Sequence, residues 1–373
     1  MPLLEALDCF SAEVCRATVA LPPFDNSAMD GYAVVSSSCQ PGGTLRLAGE
    51  QPAGVDRQLS VRAGEAIRIF TGAPMPHGAD AVVMQEDTEV TADGAQVVVK
   101  TTVPAGEFVR RRGGDVAEGQ TILSAGQRIT PGAIALLASQ GLASVSVPGR
   151  PEVSILSTGD ELAPPGAELR AGQIYDSNTP LLQALVSRCG GVVQSVQHCA
   201  DDETATTAAV RRAIASDLLI ITGGVSVGAR DYVKAAITAA GGAIDVWRVQ
   251  VKPGKPFLFG RAGKCAIFGL PGNPVSAFVT VLLFVRPAIL RLMGASDEAA
   301  ALPTLQAVAG EELTNRGDRP HYVRGSLRDG TFKPVGRQES HAVFGLSRAD
   351  ALLLVPSGAI IARGETASVL LFD

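Results

Sequence analysis

The segment Leu21-Pro-Pro-Phe-Asp-Asn-Ser-Ala-Met-Asp-Gly-Tyr-Ala-Val34 combines turn-forming residues, two carboxylates, an amide and a hydroxyl within fourteen positions. Pro22 and Pro23 restrict the backbone where the segment begins, and the Asp-Asn-Ser run favours side-chain hydrogen bonds to the neighbouring backbone. We expect Asp30-Gly31 to form a tight turn that leaves the Asp30 carboxylate at the tip of a rigid loop. An isolated Asp-Gly pair is typical of an ordinary connecting loop, so a functional interpretation depends on the later segments.

The composition is that of a soluble globular protein with several domains. The chain has 373 residues, of which 46% are hydrophobic and 18% charged, so about two to four domains are expected. A net charge of −5 and no basic cluster longer than Arg110-Arg111-Arg112 argue against a nucleic-acid partner. The apolar run Val275 to Val285 is too short to span a bilayer, and no secretory signal pattern opens the chain, so no membrane partner is expected.

Cysteine and histidine usage bears on metal sites and on the cellular compartment. The six cysteines are scattered without a Cys-x-x-Cys pair, and the four histidines are equally dispersed. This pattern indicates neither a disulfide framework nor a zinc site. A reduced, cytoplasmic location is therefore expected.

The first 150 residues predict a helix, a β domain and a second helix. Leu3 to Val19 has apolar residues at helical spacing and predicts a short amphipathic helix. Ile129 to Leu142 predicts a helix with Pro131 in its first turn. Alternating segments predict strands, with a hairpin turn at Asp93-Gly94. These strands are 44–48, 66–70, 81–84 and 95–99.

From residue 151 to about residue 294, short apolar strands alternate with helices. This pattern predicts a parallel sheet with a ligand crevice at the carboxyl ends of its strands, where the loops carrying Asp160, Glu161, Gly223 and Gly224 lie. Strands are expected at 153–156, 192–197 and 218–222, and helices after Asn178-Thr-Pro180, from Asp201-Asp202, over 231–240 and over 275–292. From Leu302 short strands return and predict a small β barrel.

The expected fold class is therefore a multidomain α/β and β protein with a central parallel-sheet domain. Residues 1–36 and 116–150 form a discontinuous linking domain in this interpretation, and residues 37–115 form an inserted β domain. The α/β domain covers residues 151–296, and the C-terminal β barrel covers residues 297–373.

The segment Thr222 to Asp231 follows a strand and precedes a helix. A Gly223-Gly224 loop in that position presents backbone amides and the positive end of a helix to an anion, usually a phosphate. Neither a dinucleotide fingerprint nor a phosphate loop is present. A Gly-Gly turn after a strand also serves purely structural purposes, so the anion seat is a hypothesis.

The same segment contains Gly224-Val-Ser-Val-Gly228, which fits the nucleophile elbow of α/β-hydrolases and makes Ser226 a candidate nucleophile. A hydrolase also needs a later acid and then a histidine. Only His321 and His341 follow, and both fall in the predicted barrel. The hydrolase therefore stands as a competing hypothesis with a poor match downstream.

Two further segments offer positive charge or helix-end donors. Lys252-Pro-Gly-Lys-Pro256 places two ammonium groups on a stiff turn; the alternative is a solvated basic turn. Compact lysine charges suit phosphate and small oxyanions. Leu270-Pro-Gly-Asn-Pro274 opens an apolar helix, whose start offers the Asn273 amide and the Ser276 hydroxyl as a second anion seat.

Carboxylates recur in loops beside glycine, threonine or strand ends. Any one of them is, taken alone, typical of a surface acid or a helix cap. A site that cleaves a pyrophosphate needs hard oxygen ligands for Mg²⁺ beside cations that bind the oxyanions. The sequence supplies both sets, the carboxylates being Asp30, Asp115, Glu161, Asp201 and Asp231.

Four segments together, namely 21–34, 222–232, 252–256 and 269–276, closely resemble the molybdopterin molybdenumtransferase family. That family includes the bacterial enzymes that insert molybdenum into molybdopterin and the equivalent domain of gephyrin. The resemblance runs from about Ala6 to the C-terminus. It implies a molybdopterin-binding α/β domain, and an activity that inserts molybdate into adenylylated molybdopterin with release of AMP, with Mg²⁺ as cofactor.

Matching by motif, the resemblance implies which positions act. It implies catalytic roles for Asp30, Thr71, Asp115 and Glu161, and Mg²⁺ coordination by Asp30, Glu161 and Asp231. Arg324 and Ser347 match C-terminal positions implicated in oxyanion binding. With the anion seats above, the predicted substrate-binding residues are Gly223, Gly224, Ser226, Asp201, Asp231, Arg248, Lys252, Lys255, Pro271, Asn273, Pro274, Ser276, Arg324 and Ser347.

The resemblance also implies an assembly and partners. Family members are elongated homodimers of four-domain subunits, with the active site in a cleft at the dimer interface. The molybdopterin adenylyltransferase and molybdoenzyme apoproteins are the expected protein partners. A scaffold that keeps the fold without turnover is the alternative; Asp30, Glu161, Lys252 and Lys255 argue against it, because a scaffold does not need that combination.

Three departures from the family pattern are visible. Gly114 stands where the family usually has Glu before Asp115, and Ala229 where it usually has Glu. The missing acids are expected to weaken metal affinity. The segment before Leu3-Leu-Glu-Ala6 also lacks roughly 25 residues of N-terminal helix, so either the start is displaced or the member is trimmed.

Overall fold

The computed structural model describes residues 1–225 and 232–372, which form two compact units. The larger unit consists of Met1–Glu13, Ser124–Ala135 and Ala143–Asp373. The smaller unit consists of Val14–Leu123 and Leu136–Leu142, and thus interrupts the larger one in sequence. The four domain boundaries expected from the sequence remain predictions.

The smaller unit is built on a six-stranded sheet. The ten strands of the whole unit are β1 Cys15–Arg16, β2 Asn26–Ser27, β3 Gly31–Val34, β4 Thr44–Gln51, β5 Glu65–Ile69, β6 Ala81–Met84, β7 Thr88–Val90, β8 Gln96–Val99, β9 Val109–Arg110 and β10 Thr121–Leu123. The sheet order is β6-β3-β5-β4-β8-β7, while β1 pairs with β10 and β2 with β9. All four predicted strands are confirmed, and Gly94, at φ 70°, lies in the predicted turn between β7 and β8.

One segment of the smaller unit differs from the prediction. Gly31–Val34, which the sequence analysis placed in the linking segment, is a fully buried strand between β5 and β6. Ala33 and Val34 are completely buried there. Their apolar side chains pack in the core of the sheet.

The larger unit contains the remaining strands and most of the helices. Its strands are β11 Glu152–Thr158, β12 Leu162–Ala163, β13 Ile174–Tyr175, β14 Val192–Cys199, β15 Leu218–Thr222, β16 Ala243–Trp247, β17 Leu258–Ala262, β18 Cys265–Leu270, β19 Thr304–Ala309, β20 Leu313–Thr314, β21 His321–Arg328, β22 Thr331–Pro334, β23 Ala351–Val355, β24 Ile360–Ile361 and β25 Thr366–Leu371. The helices in chain order are α1 Pro131–Ser139, α2 Asn178–Arg188, α3 Glu203–Ala213, α4 Val233–Ala239, α5 Pro274–Thr280, α6 Arg286–Leu292, α7 Asp297–Ala300 and α8 Val343–Leu346.

The central sheet of the larger unit has the order β14-β11-β15-β18-β17-β16. The first four strands are parallel, as expected, but β17 and β16 run antiparallel to their neighbours, so the expectation of a parallel sheet is only partly right. The reason is a two-residue connection between Ala262 and Cys265, in which Gly263 takes φ 58°. A connection that short can only return the chain antiparallel.

The C-terminal part of the larger unit closes into the predicted barrel. Five strands close it in the order β19-β22-β21-β23-β25. Phe332 and Leu353 are completely buried in its interior. Closure removes the free strand edges that an open sheet of this size would expose.

A continuous helical segment, Pro274–Leu292, packs against the central sheet. It comprises α5, a π-helical turn at Val281–Val285 and α6. With 19 residues it is long and apolar enough to cross a membrane by length and composition, which corrects the expectation drawn from the shorter apolar run. Most of it is buried inside the larger unit, as expected of a core helix.

The helix predicted over Leu3 to Val19 is absent, and this prediction is wrong. Residues 3–8 form turns, and Cys15–Arg16 is the short strand β1. The backbone instead pairs with a distant segment: the Ser11 amide donates to Gln127 at 3.0 Å, and the Ile129 amide donates to Cys9 at 2.9 Å. Tertiary pairing has outweighed helical periodicity, and the apolar side chains Phe10 and Ala6 are buried without a helix.

Most other predicted helices of the larger unit are confirmed. The Asp202 carboxylate accepts the Ala205 amide at 2.7 Å and begins α3. At the start of α2 the Asp176 carboxylate accepts the Thr179 amide at 3.0 Å. The start predicted for α4 at Asp231 lies outside the described residues.

His321 begins the barrel strand β21 and is buried, with 7% of its surface exposed. Among the described residues its Nε2 has no hydrogen-bond partner. Burial, with smaller effects from the Lys252 and Arg324 charges, lowers the pKa of His321 to about 4. The folded protein therefore holds a neutral imidazole at pH values where the unfolded chain binds a proton.

We predict that this histidine makes the larger unit acid-sensitive. Between about pH 6.5 and pH 4 the unfolded chain binds one more proton, so the free energy of unfolding should fall by roughly 2–4 kcal/mol as the pH is lowered. Urea unfolding of His321→Gln across this range should show a correspondingly flatter pH dependence. The exposed His341→Gln is the control and should keep the wild-type slope; equal slopes for both variants would contradict the prediction.

Candidate functional site

The Asp30 loop of the smaller unit holds its carboxylate by two hydrogen bonds. Asp30 Oδ1 accepts from the Thr71 backbone amide at 2.7 Å and from the Thr71 hydroxyl at 2.8 Å. These two bonds, first the backbone one, lower the pKa of Asp30. The carboxylate is therefore exposed, oriented and ionised, and the structure brings together two residues that the sequence predicted separately.

Gly31 does not form the tight turn expected of Asp30-Gly31. It is the first residue of β3, and a Cβ added there would lie 1.9 Å from the Val83 carbonyl oxygen of β6. Only glycine allows the strand to begin this close to its neighbour immediately after Asp30. The glycine is thus required by a close approach between strands rather than by a turn.

Asp115 lies in a loop that pairs with the opening segment. Its backbone amide donates to Leu21 at 2.9 Å. The same two loops are joined by Asp25, whose carboxylate accepts from the Arg112 amide and from the Arg111 guanidinium, each at 2.7 Å. The Asp115 side chain itself is exposed.

A cavity of about 810 Å³ lies in the larger unit at the carboxyl ends of the parallel strands. Strands β11, β15 and β18 end at Thr158, Thr222 and Leu270, and the loops that follow them form one wall. The other wall comes from residues 252–256, called the lysine loop below, and from two loops of the barrel. The crevice predicted at this sheet edge is thus present.

The cavity gathers most of the residues that the sequence predicted for this unit. These are Glu161, Asp201, Gly223, Gly224, Lys252, Lys255, Pro271, Asn273 and Ser276. Pro274 follows as the first residue of α5. Ser226 and Asp231, which the sequence analysis also named, lie outside the described residues.

Glycines shape the strand-end loops of the cavity. Gly223 and Gly224 take φ 87° and 59°, and a Cβ at Gly223 would lie 2.5 Å from the Thr158 carbonyl oxygen. At Gly159, at φ 141°, a Cβ would lie 2.6 Å from the Glu161 carboxylate. Glycine therefore lets the Gly223-Gly224 loop lie directly on the end of β11, and it leaves room for the Glu161 side chain.

The lysine loop is fixed to the barrel by its backbone. The Lys252 amide donates to the Pro320 carbonyl at 2.9 Å, and the Tyr322 amide donates to the Lys252 carbonyl at 2.8 Å. Gly254, at φ 130°, lies so close to the Thr280 methyl group that a Cβ would approach it to 2.7 Å. The lysine loop therefore cannot move away from α5 and β21 without breaking these contacts.

Asn178, at the start of α2, forms the polar floor of the cavity. Its Nδ2 donates to the Gly272 carbonyl at 2.7 Å and to the Thr222 hydroxyl at 2.9 Å. Because a carbonyl can only accept, the amide orientation is settled and Oδ1 must be an acceptor. Within residues 1–225 and 232–372, neither Asn178 Oδ1 nor Thr158 Oγ1 has a partner, although both atoms are buried.

Three predicted residues of the larger unit do not line this cavity. Arg248 takes φ 67°, and its guanidinium lies 6.0 Å from the Trp247 ring centre. Arg324 is buried in the barrel, 1% exposed. Ser347 lines a second cavity of about 450 Å³, and its hydroxyl donates to the Phe344 carbonyl at 3.0 Å.

The barrel wall of the cavity contains residues that the sequence analysis missed: Arg319, Gln338, Glu339 and Ser340. The Ser340 hydroxyl accepts from Asn273 Nδ2 at 2.8 Å, and its carbonyl accepts the Val275 amide at 3.1 Å, so it caps the start of α5. The only sequence signal for Arg319 is the polar, turn-rich run Asn315 to Pro320, which resembles the lysine loop in composition.

The charges of the cavity are mixed in a way that suits a metal–oxyanion ligand. Lys252, Lys255 and Arg319 are its cations, and Glu161, Asp201 and Glu339 its carboxylates. In the part of the chain that the structure describes, no three carboxylate, histidine or cysteine side chains form a metal site by themselves. Mg²⁺ usually takes only one or two protein carboxylates and completes its shell with phosphate and water, so this donor set fits.

Comparisons with known proteins agree along the whole chain. Three family models match: "MoeA N-terminal region (domain I and II)" at residues 1–141, "Probable molybdopterin binding domain" at 154–291 and "MoeA C-terminal region (domain IV)" at 306–372. A Haemophilus influenzae "Molybdopterin molybdenumtransferase" is 36% identical over 100% of this chain and 93% of the relative. A Mycobacterium tuberculosis "Molybdopterin molybdenumtransferase 2" is 38% identical over 99% of this chain and 94% of the relative.

A solved structure gives the same result. The molybdopterin biosynthesis MoeA protein from Pyrococcus horikoshii OT3 matches with a TM-score of 0.86 and 28% identity, covering 100% of this chain and 94% of that one. The hydrolase alternative gains no support, because no histidine lies among the described residues that line the cavity. The chain belongs to the molybdopterin molybdenumtransferase family.

Proposed function

We propose that this protein inserts molybdenum into molybdopterin during molybdenum cofactor biosynthesis, using molybdate and adenylylated molybdopterin and releasing AMP. The observation that carries the proposal is the cavity, which is lined by Lys252 and Lys255 on one side and by Glu161 and Asp201 at the sheet edge. An adenylylated substrate brings a phosphoanhydride, and molybdate is a dianion. Both need cations, while cleavage of the phosphoanhydride also needs charge neutralisation of the kind a divalent metal supplies.

In this proposal the larger unit binds the oxyanions. The Lys252 and Lys255 ammonium groups bind molybdate and the phosphate oxygens. Both residues line the cavity, and backbone hydrogen bonds hold their loop on β21. The Gly223-Gly224 loop, which lies on the end of β11, is the predicted seat for a phosphate. Pro271, Asn273 and Ser276 complete the wall at the start of α5.

The proposed activity includes a Mg²⁺ ion held by carboxylates. Glu161 and Asp201 are the described carboxylates of the cavity that would hold Mg²⁺, and Asp231 and Asp30 stay in the predicted ligand set. When bound, Mg²⁺ would neutralise charge on the phosphate oxygens during cleavage. Thr71 holds the Asp30 carboxylate ionised and oriented, and Asp115 is retained as a catalytic candidate on the family resemblance.

We further propose that the chain acts as a cytoplasmic homodimer whose cleft is completed by a second copy. The family resemblance supports this assembly. It also supports a molybdopterin adenylyltransferase and molybdoenzyme apoproteins as protein partners. Arg248, Arg324 and Ser347, which do not line the described cavity, stay predictions for substrate binding in this assembly.

The dimer makes a direct prediction. Multi-angle light scattering at micromolar concentration should give twice the 38.4 kDa mass of the chain. A monomer that retains full activity at the same concentration would contradict the proposed assembly.

We predict that purified protein releases AMP from adenylylated molybdopterin and that molybdate accelerates the formation of cofactor. Asp30→Asn keeps the size and hydrogen bonding of the side chain but removes its charge, so AMP release should fall strongly while the fold is retained. Chromatographic quantification of AMP, with circular dichroism as a check on folding, measures both. Binding of both substrates without turnover in the wild type would favour the scaffold alternative.

The lysines make a separate prediction. Lys252→Ala or Lys255→Ala should raise the half-saturating molybdate concentration about tenfold to a hundredfold, because a charged hydrogen bond contributes roughly 1.5–3 kcal/mol. Raising molybdate should rescue these variants but not Asp30→Asn. Lys264→Ala, on the turn between β17 and β18, is the control. Normal molybdate dependence with poor binding of adenylylated molybdopterin would assign the lysines to the phosphates alone.

A further inference from the structure

The second cavity of the larger unit, of about 450 Å³, is separate from the proposed reaction site. It lies between α2, the helical segment Pro274–Leu292 and the barrel, and it shares no lining residue with the first cavity. The helical segment lines it with residues four positions apart, which share one helix face. These are Phe278, Leu282, Arg286 and Leu290. A cavity of this volume is in the size range of small-molecule sites.

The walls of the second cavity are mostly apolar. Leu282 and Leu290 are 5% and 2% exposed, and Leu185 of α2 and Leu346 of α8 are each 8% exposed. Leu302 also lines the cavity and is partly exposed. Because apolar walls are stabilised when they cover an apolar molecule rather than water, they favour a ligand with an apolar body.

The charged groups that line the second cavity are cations. They are Arg128, Arg188 and Arg286, and no carboxylate in residues 1–225 or 232–372 lines it. Burial lowers the pKa of Arg286; Cys189 opposes this effect, and the Arg128 charge adds to it. Like charges at a partly buried site repel one another and have lost part of their hydration, so an anion in the cavity stabilises them.

Arg286 keeps two donors for such an anion. Its Nη1 donates to the Ala300 carbonyl at 2.7 Å, while its Nε and Nη2 donate to no acceptor in the described ranges, 1–225 and 232–372. Neither atom is among the fully buried atoms that lack a partner, so both remain accessible. Nε and Nη2 lie on the same edge of a guanidinium and offer the two parallel N–H groups that a carboxylate accepts.

We propose that the second cavity binds an apolar carboxylate, meaning a carboxylate on an aliphatic or aromatic body. Arg286 binds the carboxylate through Nε and Nη2, and Arg128 adds positive charge. The leucine-rich walls cover the body of the ligand. This site goes beyond the proposed function and does not rest on it, because its residues and its ligand are different.

Isothermal titration calorimetry of the full chain with octanoate tests the proposal, with octanol as the neutral ligand of the same chain length. Octanoate should bind the wild type. Arg286→Gln keeps an N–H donor for the Ala300 carbonyl but loses the charge and the paired donors, so octanoate should bind about tenfold to a hundredfold more weakly. Octanol should bind both proteins equally. A wild type that does not bind octanoate, or equal octanoate affinities of the two proteins, overturns the proposal.

Two more variants control the measurement. Arg291→Gln is the matched control, because Arg291 is also in α6, donates from Nη1 to the Ala295 carbonyl at 2.6 Å and does not line the cavity. It should bind octanoate like the wild type. Leu302→Trp fills the cavity from a partly exposed position and should weaken both ligands, which locates the site even if Arg286→Gln is unstable. Unchanged octanoate binding by Leu302→Trp places the ligand elsewhere and overturns the proposal.

Two further measurements distinguish other occupants. Phe372 lines the cavity, and residue 373, which follows it, lies outside the described residues. Octanoate binding that appears only after deletion of residue 373 means that the carboxylates of this residue fill the site, and it overturns the proposal. Pyrophosphate has no apolar body and should not displace octanoate; displacement makes the cavity a site for small oxyanions and also overturns the proposal. None of these results depends on AMP release, so a failure of the proposed function is distinguished from a failure here.

Discussion

Two backbone hydrogen bonds of Lys252, one to Pro320 and one from Tyr322 in β21, join the loops of the α/β sheet to the barrel. The cavity depends on this joint, because one of its walls comes from the sheet edge and the other from barrel loops. Without it, the two lysines would stand on a solvated turn. With it, the two lysines, the strand-end glycines and Arg319 line one cavity within a single unit. Backbone bonding thus converts an ordinary basic turn into part of a site.

Local patterns were sufficient for elements whose residues decide their own structure. The buried strand Leu218–Thr222, the helical segment Pro274–Leu292 and the strand Ala81–Met84 follow from apolar runs and from proline at a helix start. Residues 3–19 show where this fails. Their apolar spacing is helical, yet hydrogen bonds to residues 127–129 determine the backbone. No local pattern carries that information, because the partner lies far away in sequence.

The candidate site also contains residues that local motifs predict and residues that they do not. Residues in glycine-rich and proline-rich loops, such as Glu161, Lys252 and Asn273, were predicted from their motifs, and the structure places them on one cavity. The barrel residues were not predictable in this way. Whether Arg319 or Arg324, and Ser340 or Ser347, reaches the cavity depends on barrel closure and on the direction of each side chain. Those follow from strand pairing across the barrel, which the sequence of one strand does not reveal.

The interrupted connectivity of the larger unit has a consequence for how the chain is made. Residues 1–13 belong to this unit, but their partners around residues 124–129 leave the ribosome only after the whole of residues 14–123 has been synthesised. Domains commonly fold as they emerge, N-terminal parts first. Here the first segment stays unpaired until residues 14–123, which are most of the smaller unit, have been made. All segments of the smaller unit, the last being Leu136–Leu142, are therefore synthesised before most of the larger unit.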